Sequence, residues 1–127
     1  MRSTITCNME GVIETMNDGA EKIFGYKKEE LIGKKRVSIF SPGEIVLQNV
    51  AGWLDTAVKK GEYRGETYFV HKNGEKINAK IRITPTFSNG KDKLQTGYCG
   101  VTEVIEKDVI VPINFSTKLI KGLAITR

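Results

Sequence analysis

The stretch "HKNGEKINAKIRITPTF" (71–87) restricts the fold of this chain more than any other. Asn73-Gly74 is the strongest short hairpin signal in the chain. Beyond it, Ile77, Ala79, Ile81 and Ile83 alternate with Asn78, Lys80, Arg82 and Thr84. In a strand, that period of two puts the apolar set on one face and the polar set on the other. "EYRGETYFV" (62–70) supplies the partner strand. The product is an antiparallel sheet that is wet on one side and needs a cover on the other. A further strand, "LQTGYCGVTEVIE" (94–106), follows a looser turn in "FSNGKDK" (87–93).

The cover has to come from the first half of the chain. "TITC" (4–7) and "VIETM" (12–16) read as a second hairpin joined through "NMEG" (8–11). Asn17 ends it and can cap a short helix whose apolar residues, Ala20, Ile23 and Phe24, fall at helical intervals. "KKEELIG" (27–33) fits another short helix with Leu31 and Ile32 inward. Lys27 is a poor N-cap, so this helix is expected to rest on packing. "SPGE" (41–44) is a stronger start signal: Ser41 as cap, Pro42 at the first helical position, Glu44 closing a capping box. The helix is expected to run to Lys60 with a Val46, Val50, Leu54, Val58 stripe, widened by Trp53 and Ala57.

A length of 127 residues suits one domain, and no apolar run reaches the roughly 20 residues of a membrane-spanning helix. "MRSTITCNME" (1–10) has no apolar core of a secretory signal. Two distant cysteines, Cys7 and Cys99, match no metal spacing, and with one histidine they fit a reducing, cytoplasmic setting. The net charge of +5 raises the question of an anionic partner. Lys27, Lys28, Lys34, Lys35 and Arg36 are interleaved with Glu21, Glu29 and Glu30, as on a solvated surface, and no aromatic-studded basic face for nucleic acid emerges.

The element order, with Asn17, Ala20, "FGYKKEELIG" (24–33), Pro42, "KNG" (72–74), Pro85 and "GVTEVIE" (100–106), resembles the PAS domain family of small sensor modules. Where that family commonly ends on "DIT", this chain has Glu103, Val104 and Ile105. The resemblance implies an α+β fold, a five-stranded antiparallel sheet with short helices and one longer helix packed on one face. It covers a PAS-like domain at 1–106 and leaves 107–127 as an extension or linker to an effector or partner. It also implies a cavity between sheet and helices. Alternation then predicts Thr67 and Phe69, Ala79, Ile81 and Ile83, and Cys99 and Val101 on its sheet side. Phe24, Ile39, Phe40, Val50 and Leu54 are expected to close the other side.

Such a lining disfavours the cofactors the family is known for. The covalent-flavin branch uses a cysteine before the long helix and amides on the inner sheet, but "GKKRVSIFSP" (33–42) has no cysteine, and Phe69, Ala79 and Val101 take the amide places. The haem branch takes a histidine from the long helix, and the one histidine, His71, lies beside the hairpin turn. A flavin held without a covalent bond stays open, since Trp53 or Tyr98 can stack on a ring. Haem through cysteine or methionine also stays open. Cys99 is expected to be an inert thiol, with no cation in the cavity to stabilise its thiolate. No catalytic set can be built around one hairpin histidine, and the expectation is a non-enzyme. The implied function is sensory: a small apolar or amphipathic ligand in the cavity, contacts with a second copy or a fused or partner effector, or both. The rival is a ligand-free structural interaction module. The tail "KDVIVPINFSTKLIKGLAITR" (107–127) is basic and amphipathic, as in a docking linker or a segment resting on a membrane surface.

Overall fold

The computed structural model describes residues 1–89 and 93–106. Five strands, β1 (Arg2–Asn8), β2 (Ile13–Met16), β3 (Tyr63–Val70), β4 (Lys76–Phe87) and β5 (Gln95–Val104), form one sheet in the order β2-β1-β5-β4-β3. All the pairings are antiparallel. The hairpin at Asn73-Gly74 forms, with β3 and β4 paired from Tyr63↔Ile83 to Val70↔Lys76. Its loop has three residues, 72–74: the His71 N–H donates to the Glu75 carbonyl and the Gly74 N–H to the His71 carbonyl, both at 2.8 Å, and within the loop Gly74 alone takes a positive φ. The last strand lies at the centre, flanked by β1 and β4, so Ile5, Gly100 and Ile83 form one row across the sheet. Ser3, Thr102 and Ile81 form the next on the same face.

Asn17 joins this sheet to the first helix, α1 (Asp18–Phe24). Its Oδ1 accepts from the backbone N–H of Ala20 and of Thr4, both at 2.9 Å, and its Nδ2 donates to the Arg2 carbonyl oxygen at 3.0 Å. One amide thus caps a helix and pins it to a strand. The next helix, α2 (Lys28–Leu31), corrects the expectation that packing alone supports it. The Glu30 carboxylate accepts from the Lys27 N–H at 2.8 Å, and Glu21 accepts from the Lys28 N–H at 2.7 Å, so two carboxylates satisfy its free amides.

A 3₁₀ turn (Val37–Phe40) leads to a helical segment made of α3 (Gly43–Ile45), a π-helical stretch (Val46–Val50) and α4 (Ala51–Lys60). Ser41 does not cap it. Its N–H closes the 3₁₀ turn on the Ser38 carbonyl at 3.1 Å, and Pro42 takes the cap position. The expected stripe also shifts, since Val58 is exposed and Ala57 is fully buried. Strict i, i+4 spacing drifts by about 40° per step around a helix, so the fourth member lies about 120° from the first. The buried side is therefore carried by Trp53, Leu54 and Ala57. Residues 107–127, and with them the reading of the tail, lie outside the described residues.

Candidate functional site

The helical layer closes over the sheet through aromatic contacts. Phe24, at the end of α1, stacks on Phe40 of the 3₁₀ turn with centroids 4.1 Å apart, and meets the Phe69 ring edge-on at 5.4 Å. At the other end Trp53 of α4 stacks on Tyr63 of β3 at 5.6 Å. Phe24 is held from behind by the β3–β4 hairpin. The Lys72 N–H donates to the Phe24 carbonyl at 2.9 Å, and the Lys72 ammonium pairs with Glu30 and lies 5.5 Å from the centre of the Tyr26 ring.

Between these clamps lies a cavity of about 270 Å³. Phe24, Phe40, Val50, Leu54, Phe69, Ile81, Ile83 and Val101, all expected at the cavity, line it. Ile39 does not: it is half-buried and packs against the core around Phe24. Thr67 and Ala79 lie opposite each other on the inner face, away from the cavity, and Ala79 is enclosed by packed protein.

Cys99 is a correction. The register pairs it with Thr6 and Thr84, and Val101 with Thr4 and Arg82, which puts both on the outer face. Val101 still borders the cavity, whereas Cys99 does not. The inner residues of β5 are Tyr98, Gly100 and Thr102, one place out of phase with the expectation. In "TGYCGVT" (96–102) the odd positions Gly97, Cys99 and Val101 carry no polar group and the even ones include Thr96, Tyr98 and Thr102, so alternation pointed to the face that pairing with β1 and β4 turns outward. Sequence reasoning also missed the whole contribution of β1 and its turn: Ile5, Cys7, Met9, Glu10 and Gly11. That contribution arises only because β1 pairs with the central strand.

The cavity has an apolar body and a polar rim. Ile5, Cys7, Phe24, Phe40 and Ile81 are buried. Met9, Glu10, Arg36 and Ser38 line the cavity and are exposed, which places them at its mouth. Burial pushes the Cys7 thiol up, against a smaller opposing pull from a hydrogen bond to the Tyr98 backbone. It pushes Cys99 up as well, despite the nearby Arg82 charge. Neither is poised as a nucleophile. Among the described residues no three His, Cys, Asp or Glu side chains gather as a metal site. Gly100 faces the cavity with room to spare: a Cβ there meets nothing within 4 Å.

The family model described as "PAS domain" matches residues 2–106, nearly the whole described chain. The chain belongs to the PAS domain family. A PAS domain from Colwellia psychrerythraea superposes with a TM-score of 0.76 at 22% identity, covering 82% of this chain and 86% of that one. The PAS domain of a LuxR-family transcriptional regulator from Burkholderia thailandensis, determined in complex with ethanol, gives 0.65 at 15% identity over 82% and 88% of the two chains. A PAS domain from a two-component sensor histidine kinase gives 0.66 at 12% identity over 82% and 85%. In sequence, the chain is 33% identical over 92 residues to Two-component system protein A of Emericella nidulans. That match takes in 72% of this PAS chain and only 13% of the relative. No helix among the described residues is long and apolar enough to cross a membrane.

Proposed function

We propose that this PAS domain is a sensory module whose cavity takes a small apolar or amphipathic molecule and whose occupancy is relayed to a fused or partner effector. The carrying observation is the cavity of about 270 Å³, apolar within, open at a polar rim and left unfilled at Gly100. Its volume lies just under the ~300–1,000 Å³ usual for drug-sized ligands, which favours a small metabolite over a flavin or haem. The names of the fungal relative and of the histidine-kinase neighbour support a signalling context. Contacts with a second copy, and a cytoplasmic setting suited to two unpaired thiols, belong to the same reading. It assigns no catalytic step, because the two thiols are raised by burial and the only histidine serves a hairpin.

Relay requires that the ligand bind two states of the domain unequally. The Phe24 clamp is a candidate for the moving part, since it touches the cavity, α1 and the β3–β4 hairpin at once. Native mass spectrometry and an absorption spectrum of the purified chain test the proposal, alongside Gly100→Val. A Cβ at this strand position meets open space, and the valine methyls extend from it on the cavity face. The expected result is added mass or ligand-induced NMR shifts in the parent that the folded variant lacks. Ligand binding that is indifferent to Gly100→Val would place the ligand outside this cavity, and no binding across a metabolite panel would favour the protein-only interaction module.

A further inference from the structure

The cavity rim carries charge that the fold itself does not use. Arg36 and Glu10 are the two charged residues that line the cavity, and both are exposed. The backbone of Arg36 is fixed by a bridge to Val12, which holds it beside the β1–β2 turn. Its guanidinium takes no part in the ion pairs formed among the described residues, which engage Arg2, Lys28, Lys59, Arg64, Lys72 and Arg82. Lys34 and Lys35 precede it and are also exposed, the Lys34 ammonium donating to the Glu29 carbonyl oxygen at 2.9 Å. Ser38 and Ser41 add hydroxyl donors to the lining.

Building on the ligand-binding reading above, we infer that the ligand is a small monoanionic amphiphile, a carboxylic acid with one compact ring or short chain, whose carboxylate lies against Arg36 at the mouth. The apolar body enters between Phe24, Phe40, Trp53 and Ile81, where no charge awaits it. The carboxylate stays at the rim, in partial contact with water, so it avoids the cost of burying a charge. A guanidinium offers it a planar pair of donors. Glu10 opposes an anion, but it acts through solvent and is screened, whereas Arg36 can hydrogen-bond directly.

The test uses isosteric pairs that differ only in charge: 3-phenylpropionate with 3-phenylpropionamide, and octanoate with octanamide. Each is titrated into the whole chain by calorimetry, with amide NMR shifts to locate the site. The expected result is that the acids bind about five- to tenfold more tightly than the amides. Arg36→Gln should erase that preference while leaving amide binding within about twofold, Arg36→Lys should keep part of it, and Glu10→Gln should strengthen acid binding. Equal affinity for acid and amide in the parent, or a preference that survives Arg36→Gln, overturns the inference and leaves the ligand-binding reading intact. Failure of all four molecules to bind at the cavity overturns the inference, whereas the ligand-binding reading falls only if the metabolite panel also fails. Far-UV circular dichroism confirms that the variants fold, as expected for exposed side chains.

Discussion

The imidazole of His71 packs so closely on Gly25 that a Cβ at the glycine would lie 2.2 Å from its Cε1. Gly25 ends α1 at φ 82°, so a side chain there meets backbone strain and a steric clash together. Gly25→Ala is expected to destabilise the domain by about 2 kcal/mol or more. Removing the ring as well, in Gly25→Ala/His71→Ala, should return the steric part. Chemical denaturation of the four corners of this double-mutant cycle measures the coupling, and strict additivity would show that the two residues do not meet.

The Asn17 side chain makes three hydrogen bonds at the junction of β1 and α1. Asn17→Ala should cost about 1–2 kcal/mol as a lost cap, and more if the Thr4 N–H is left without a partner. Asn17→Asp keeps the acceptor and loses only the bond to Arg2, so it should fall between the parent and the alanine variant. Urea unfolding midpoints check the order.

Phe40 is buried and stacked on Phe24. Phe40→Ala removes a cavity wall and should cost about 3–5 kcal/mol. Phe40→Leu should cost markedly less and admit bulkier ligands. A thermal-shift series over ligands of increasing size reads both effects, and an unchanged size limit would place the boundary elsewhere.

Glu30 is held below the ordinary carboxylate range by the Lys27 amide and then by the Lys72 ammonium. Glu62 is lowered by Arg64 and Arg82, and Glu103 by Arg2. A carboxyl with a depressed folded-state pKa contributes stability above its unfolded value and loses it as pH falls through the folded one. The melting temperature should therefore be flat near neutrality and fall on acidification below the ordinary glutamate range. These carboxylates are solvated, so added salt should blunt the fall. Glu30→Gln should flatten part of the acid limb, and an unaltered limb would show that the Lys27 and Lys72 contacts do not form in solution.

Both cysteines have pKa values raised chiefly by burial. A thiol reagent at neutral pH should modify them far more slowly than a free thiol. Cys99, half-buried on the outer face, should react before Cys7, which is buried on the cavity side. Rapid reaction of Cys7 in the native protein would indicate that the cavity opens widely.

Local sequence was enough for whatever depends on near neighbours. Asn73-Gly74 marked a hairpin, the period of two in "INAKIRI" fixed the buried face of β4, and Asn17 announced the start of α1. Of the eight expected residues that line the cavity, Phe24, Phe69, Ile81 and Ile83 come from such segments. The inner face of β5 was misread, because Cys99 and Val101 are the more apolar parity, yet pairing turns Tyr98, Gly100 and Thr102 inward. Nor was the cavity rim, where residues 9–11 and 36–38 are brought together by the bridge between Val12 and Arg36. Short-range chemistry decides turns, caps and strand faces, because its partners lie within a few residues. Which strand lies at the centre of the sheet, and so which side chains share a cavity, is decided by pairings such as Ile5↔Gly100 that span most of the chain and leave no local mark.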